Sequence, residues 1–285
     1  MTLPALHSLT RSQILKVSHL SVVRDGRAIL RDVEWEVCRG EHWAVLGANG
    51  SGKTSLLNVV LGYLTATTGT VQIRGRDATE DGAAEDWDTW RKQIGFVSSS
   101  IAGLIDPDET AHEIVMAGRH AMVNYWRQQR TPEEEIAAAH QILERIECSH
   151  LARQPWRYLS QGERQRILIG RALMSPDLKM LVLDEPCAGL DPVAREHFVA
   201  FVERLISRKR NAPTLLLVTH HVEEIMPSVT HALILKDGQV IAAGEKSQSL
   251  RSATLTQAFG TELMLRRYHG RYRLYHLEEA GSEVV

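Results

Sequence analysis

The chain has 285 residues, of which 44% are hydrophobic and 24% are charged, and its formal net charge is -2. This composition is typical of a globular protein and gives no overall charge that would draw it to nucleic acid, so we expect no direct nucleic-acid binding. Three widely spaced cysteines predict no disulfide framework or zinc site, and no apolar run reaches the roughly 20 residues of a membrane-spanning helix. We therefore expect a cytoplasmic protein that only another chain could hold at a membrane.

The N-terminal third of the chain predicts strands around one helix. Residues 12–46 read as strands, the last of which is a short apolar run that ends at glycine. A helical pattern follows from Thr54 to about Leu64, and Thr70–Ile73 is strand-like. The acidic stretch Asp77–Asp88 predicts a surface loop, and Ile94–Val97 predicts another strand.

The middle of the chain is predicted to be helical, from about residue 108 to residue 154. Thr131 is expected to cap a helix whose first position is Pro132. An apolar stripe then recurs at helical spacing, which predicts a packed helix face: Ile136, Ala139, Ile142, Leu143 and Ile146.

Apolar strands return in the C-terminal half. The strands are predicted at Met180–Leu183, Thr214–Val218 and Ala232–Leu235, with Asp191 capping the helix between the first two. Strands, a helical block and further strands together predict an α/β core that carries a helical insert. The last 35 or so residues are charged and mixed, and they predict little.

A glycine-rich loop follows the strand that ends at Leu46 and opens a helix. It reads Gly47-Ala48-Asn49-Gly50-Ser51-Gly52-Lys53-Thr54 and matches the pattern GxxxxGK[ST]. Glycines allow the backbone to approach anionic oxygens, and successive N–H groups with the helix N-terminus attract phosphate. Lys53 is expected between the β- and γ-phosphates of ATP, and the Thr54 hydroxyl is expected to ligate Mg²⁺.

Two acids stand at the end of the strand that begins at Met180. Asp184 is placed to hold Mg²⁺, and Glu185 is placed to polarise the attacking water as a general base. Adjacent acids after a buried strand are common and can be ordinary solvated groups. The phosphate loop in the same chain favours the functional interpretation.

A short motif lies before this acidic strand: Leu159-Ser160-Gln161-Gly162-Glu163. Here the chain resembles the ABC (ATP-binding cassette) ATPases, whose LSGGQ signature has this position. Gln161 and Glu163 depart from that signature, whereas Ser160 and Gly162 remain. The resemblance implies that Ser160 and Gly162 contact the γ-phosphate of ATP held by a second copy. Ser160 and Glu163 also form a capping box, and the two interpretations are compatible because a capped helix N-terminus can face a phosphate.

The resemblance covers about residues 13–250 and implies a P-loop NTPase core with a mostly parallel sheet. It also implies an N-terminal antiparallel β subdomain and an inserted α-helical subdomain at about residues 100–175. Residues 251–285 are then a C-terminal extension of unknown role.

Further residues match other motifs of the family. The stretch that ends at Asp191 resembles the D-loop, and His220, after the next strand, resembles the switch histidine that contacts the γ-phosphate. Arg24 stands where an aromatic residue usually stacks on adenine; it is either a stacking guanidinium or an exposed turn residue. Ser99 replaces the glutamine that usually ligates Mg²⁺, so we expect a water in that position, bonded to Ser98 or Ser99.

Two uses of ATP remain open at this point. His42-Trp43 and Val97-Ser98-Ser99-Ser100 resemble a subgroup of stand-alone, molybdate-related cassettes (ModF- or YlmA-like). The first interpretation is an ATP-hydrolysing subunit of an ABC transporter, which acts as a head-to-tail dimer of cassettes on the cytoplasmic face of a membrane with separate permease chains. The alternative is a non-transport ABC ATPase that acts on nucleic acid, the ribosome or another protein. The expected ligands are ATP and Mg²⁺ in both cases.

Overall fold

The structure, a computed structural model, describes residues 12–73, 76–77, 84–126, 131–207 and 212–277. The strands in this part of the chain are β1 Gln13–Arg24, β2 Arg27–Cys38, β3 Trp43–Leu46, β4 Thr68–Ile73, β5 Arg76–Asp77, β6 Ile94–Val97, β7 Met180–Asp184, β8 Thr214–Thr219, β9 His231–Lys236, β10 Gln239–Glu245, β11 Leu263–Tyr268 and β12 Arg271–His276. The helices are α1 Lys53–Val60, α2 Ala84–Lys92, α3 Ser99–Ala102, α4 Ala111–Ala117, α5 Glu133–Arg145, α6 Gln161–Leu173, α7 Pro192–Ser207, α8 Lys246–Ser249 and α9 Ser252–Phe259.

A six-stranded sheet in the order β10-β9-β3-β8-β7-β6 forms the centre of the fold. Neighbouring strands from β9 to β6 are parallel, and β10 pairs antiparallel with β9. The prediction of a mostly parallel sheet is confirmed. The register pairs Leu46 with Thr219 and Asp184 with Val218. The carboxyl ends of β3, β8 and β7 therefore meet at one edge of the sheet.

Two hydrophobic clusters cover the two faces of this sheet. Along β3, Trp43 and Val45 belong to the cluster built with α1 and the antiparallel sheet β2-β1-β4-β5. Ala44 and Leu46 belong to the other cluster, built with α4, α6 and α7. Successive side chains of a strand point to opposite faces, so a strand buried on both faces reads as one apolar run. The predicted N-terminal antiparallel sheet is confirmed.

The helices α3 to α6 lie between β6 and β7 and form the helical part of the chain. The apolar stripe predicted along α5 is largely buried. Ile136, at its N-terminal end, has the largest exposed fraction of the stripe, 37%. The predicted cap of this helix was wrong by one residue. The N-cap is Pro132 and the helix starts at Glu133, because the Thr131 hydroxyl is bonded to the Tyr125 hydroxyl instead.

The prediction of a surface loop at Asp77–Asp88 was wrong for residues 84–88, which are helical. Helix α2 begins at Ala84, and residues 78–83 lie outside the described residues. The buried Trp90 donates its indole N–H to the Val60 carbonyl at 3.0 Å, and the Trp87 ring lies against Gly62. Burial of two tryptophans against the end of α1 outweighs the acidic, turn-like composition of the segment.

The C-terminal segment forms α9 and the hairpin β11–β12. Four of its side chains belong to the same hydrophobic cluster as α4, α6 and α7: Leu255, Ala258, Leu263 and Tyr272. The described residues contain no helix long and apolar enough to cross a bilayer.

Candidate functional site

The glycine-rich loop joins the buried strand β3 to helix α1, as predicted. A Cβ atom on Gly47 would lie 2.4 Å from the Leu235 carbonyl oxygen, so only glycine fits there. Gly52 is the N-cap of α1 with φ +105°, a conformation that favours glycine. No side chain caps α1 and no acid stands in its first turn. Its N-terminal N–H groups are therefore available to an anion.

Lys53 folds back over the loop. Its Nζ donates to the Gly47 carbonyl at 2.8 Å and to the Ala48 carbonyl at 3.1 Å, and the residue is 7% exposed. Burial lowers the pKa of Lys53, while the carboxylates of Glu185 and Asp184 act in the opposite direction. Because the nearest groups to this buried cation are neutral carbonyls and the Glu185 carboxylate lies 3.9 Å away, an incoming phosphate can bind Lys53 more closely than the carboxylate does.

The rest of the loop offers further polar groups. The Ser51 hydroxyl oxygen is buried and has no hydrogen-bond partner among the described residues. Asn49 and Gly50 are exposed at the tip of the loop, and the Thr54 side chain is exposed in the first turn of α1. A buried, unpaired hydroxyl beside an uncapped helix start fits a phosphate-sized ligand.

Asp184 and Glu185 face the same loop from the end of β7. Burial raises the pKa of Asp184, Glu185 raises it further and Lys53 opposes both. The Glu185 carboxylate lies 3.9 Å from the Lys53 Nζ. Glu185 itself has φ +48°, in the left-handed region that non-glycine residues seldom adopt. Such strain occurs at functional sites because the surrounding structure enforces it.

His220 completes this cluster. Its Nδ1 lies 2.9 Å from the Glu185 carboxylate, and the two side chains are 35% and 28% exposed. The His221 ring packs on that of His220 with 4.0 Å between centroids. Burial lowers the pKa of His221, and the neighbouring His220 lowers it further. The structure thus brings together Lys53, Asp184, Glu185 and His220 from three separate strand ends.

The signature residues lie elsewhere. Ser160 is the N-cap of α6 and forms a capping box with Glu163. The Ser160 hydroxyl accepts the Glu163 N–H, and the Glu163 carboxylate accepts the Ser160 N–H. Gly162 lies in the first turn of the same helix. Within the part of the chain that the structure describes, neither residue has a hydrogen bond or ion pair to the phosphate loop, Asp184, Glu185 or His220. Asp191 caps α7, as predicted, by accepting the N–H groups of Val193 and Ala194 at 2.9 Å each.

Arg24 and Ser99 stand at the margins of the site. Arg24 is exposed at the end of β1, in a hairpin whose Leu30 side chain lies against Gly52. The hairpin therefore passes beside the phosphate loop. Ser99 is exposed, whereas Ser98 is buried and caps α3, with its hydroxyl 2.7 Å from that of Ser100. Which of these groups meets nucleotide or water stays a prediction.

One buried group behind the site was missed from the sequence. Glu224 is 2% exposed and accepts a hydrogen bond from the Thr219 hydroxyl at 2.7 Å. Burial raises the pKa of Glu224. The only signal in the sequence is an acid four residues after His220, which by itself resembles any surface glutamate.

Comparison with known proteins decides the family. Residues 30–188 match the family described as ABC transporter, more than half of the chain. The chain belongs to this family. The uncharacterized ABC transporter ATP-binding protein YlmA of Bacillus subtilis is 39% identical over 251 residues, which cover 88% of this chain and 92% of YlmA. The ABC transporter ATP-binding protein ModF of Escherichia coli is 33% identical over 80% of this chain and 46% of ModF.

Solved structures of ABC cassettes have the same fold. The cbiO1 protein of Clostridium perfringens, part of the ABC transporter complex cbiONQ, superposes with a TM-score of 0.72 at 26% identity, over 86% of this chain and 94% of cbiO1. The ADP conformation of MJ1267, an ATP-binding cassette of an ABC transporter, gives a TM-score of 0.69 at 28% identity, over 83% of this chain and 92% of MJ1267. The predicted fold and the predicted ABC ATPase are confirmed.

Proposed function

We propose that this ABC ATPase binds Mg-ATP at the phosphate loop and hydrolyses it in a dimer of two copies. The observation that carries this proposal is the cluster at one edge of the sheet, where the Glu185 carboxylate lies 3.9 Å from the Lys53 Nζ and 2.9 Å from the His220 Nδ1. The phosphates of ATP are assigned to the loop: Gly47, Ala48, Asn49, Gly50, Ser51, Gly52, Lys53 and Thr54.

Thr54 and Asp184 are the residues that would hold Mg²⁺. Both present oxygen atoms, which Mg²⁺ prefers, and Asp184 is a half-buried carboxyl that a cation would stabilise in its charged form. When bound, the ion would offset the negative charge that develops on the phosphate oxygens.

Glu185 is proposed as the general base and His220 as the group that orients it. The His220 Nδ1 lies 2.9 Å from both carboxylate oxygens of Glu185, so the imidazole fixes the orientation of the carboxylate that would accept a proton from the attacking water. His220 is also proposed to contact the γ-phosphate of bound ATP. Arg24 is proposed to contact the adenine base.

The remaining residues assigned to the ATP site are proposed to come from a second copy of the chain. Among the described residues, Ser160 and Gly162 at the start of helix α6 have no hydrogen bond or ion pair to their own phosphate loop, and the exposed Asp191 caps α7. In a head-to-tail dimer these groups of one copy would face the ATP of the other. We propose a homodimer with residues 13–250 as the cassette and about residues 100–175 as its helical subdomain.

Separate permease chains are the proposed partners, at the cytoplasmic face of a membrane. A cavity of about 410 Å³ separates the core from the helical segment, and both contribute to its lining, including Tyr63, Phe96, Ile101 and Val123. Tyr63 is 64% exposed at this cavity. A cleft with the exposed Tyr63 ring at its rim fits the insertion of a partner helix, and it adjoins α3, which begins at Ser99 directly after Ser98.

Membrane fractionation tests the transport assignment. We expect salt-resistant membrane association and a co-purifying permease, both reduced by Tyr63→Asp. Tyr268→Asp is the matched control, because Tyr268 is 66% exposed on the C-terminal hairpin, away from the cavity lining. A homodimer that hydrolyses ATP but never fractionates with membranes would contradict this assignment and favour a non-transport ATPase.

A further inference from the structure

The turn Val222–Glu224, directly after the histidine pair, is held from the inside of the fold. The buried Thr219 hydroxyl donates to Glu224 at 2.7 Å, and its oxygen accepts the His221 N–H at 3.0 Å. Arg195, on α7, lies 3.9 Å from the Glu224 carboxylate. These contacts link the backbone on both sides of His220 to a buried acid.

The same turn is held from the outside by the C-terminal hairpin. Arg271 donates to the Glu223 carbonyl at 2.6 Å, and the Leu274 N–H donates to the Glu223 carboxylate at 3.1 Å. The guanidinium also bonds both oxygens of Glu196 at 3.1 and 3.2 Å. Arg271 therefore connects three elements: β12, the turn after His220, and α7, which begins at the end of the D-loop.

A second attachment lies just beyond the turn. The Lys246 Nζ donates to the carbonyls of Met226 and Pro227 at 3.1 and 3.0 Å, and it lies over the ring of the buried Tyr272 at 5.8 Å. The chain from His220 to Pro227 is thus attached to the C-terminal hairpin directly at Glu223 and to α8 through Lys246, which in turn lies over Tyr272 of the hairpin. Residues 19 to 51 positions further along the chain therefore limit the freedom of this segment to move.

We infer that the C-terminal hairpin positions His220, with Arg271 as the positioning residue, and this rests on the proposed roles of Glu185 and His220. The imidazole reaches Glu185 only while the backbone from Thr219 to Glu224 keeps its path. Arg271 holds that path with a bidentate ion pair and a carbonyl bond, the geometry for which a guanidinium is suited and an ammonium is not. Arg271 therefore acts on hydrolysis only through the position of His220.

Steady-state ATPase kinetics test this inference with Arg271→Ala. We expect kcat to fall about fivefold to tenfold, as for a coupled contact, with the KM for ATP nearly unchanged, because Arg271 does not touch the phosphate loop. Arg271→Lys, which keeps the charge but not the fork, should recover part of kcat. Arg273→Ala is the matched control: Arg273 is exposed on the same strand, and its removal should leave kcat unchanged.

A double-mutant cycle separates this inference from the proposed function. If Arg271 acts through His220, the Arg271→Ala change should have no further effect on kcat in a His220→Ala background. An unchanged kcat in Arg271→Ala, an equal loss in Arg273→Ala, or losses that multiply in the double variant would each overturn the inference. A His220→Ala variant with full activity would instead overturn the proposed role of His220.

Discussion

Replacing Glu185 with glutamine tests the proposed chemistry most directly. The amide matches the carboxylate in shape but has no charge and almost no basicity. At 3.9 Å from the Lys53 Nζ, the lost attraction is about 4 kcal/mol at an effective dielectric constant of about 20. Water reduces this value, since Glu185 is 28% exposed. The side chain at position 185 then no longer competes with phosphate for the Lys53 ammonium, so Mg-ATP should bind at least as tightly as in the parent protein.

Hydrolysis should respond in the opposite direction. The loss of a general base slows the reaction by about 10²-fold or more, or about 2.7 kcal/mol. Because ATP binds but is not consumed, the variant should accumulate as an ATP-bound dimer. Phosphate release gives the rate, and light scattering with saturating Mg-ATP gives the mass. Glu262→Gln, at an exposed glutamate near the C-terminal hairpin, is the control. An active variant that stays monomeric in saturating ATP would refute both halves of the reasoning.

Four other changes have expected outcomes. Lys53→Ala should remove most ATP affinity, since it deletes the buried cation of the loop; unchanged binding by calorimetry would contradict this. Arg24→Ala should weaken ATP binding while Arg24→Tyr binds at least as tightly as the parent; equal affinity in all three would favour an exposed turn residue. Ser99→Gln should alter Mg²⁺ dependence and ATPase rate; if neither moves, and a Mg-ATP structure has a serine hydroxyl on the metal, our interpretation is wrong. Burial lowers the pKa of Lys246 from 10.5 to about 8, so the folded form binds fewer protons between these values and stability should rise with pH across them. Lys246→Met should lack this rise, which is about 2 kcal/mol between about pH 7 and about pH 9.5 in urea unfolding; a wild-type slope in the variant would exclude Lys246 as its source.

The elements whose signal is local were predictable. The glycine loop after β3 has to turn sharply and approach a phosphate, so its residue types are dictated position by position. The buried strands β3, β7 and β8 read as continuous apolar runs because both faces are covered. The capping box at Ser160 and Glu163 and the cap at Asp191 were predictable for the same reason, since each involves groups only a few residues apart.

The contacts that join distant segments were decided by the tertiary structure. The sequence indicated Glu185 and His220 separately, but their 2.9 Å contact exists only because β7 and β8 are neighbours in register. Helix α2 forms because Trp87 and Trp90 pack against the end of α1 and the residues that follow it. The free energy of this packing outweighs the turn-like, acidic composition of the segment. The charged C-terminal residues predicted little, because the groups that Arg271 bonds are distant in the sequence. The Glu223 carbonyl lies 48 positions away and the Glu196 carboxylate lies 75 positions away. Local physics thus determined the phosphate loop, the strands and the caps, whereas packing alone decided which of the polar groups meet.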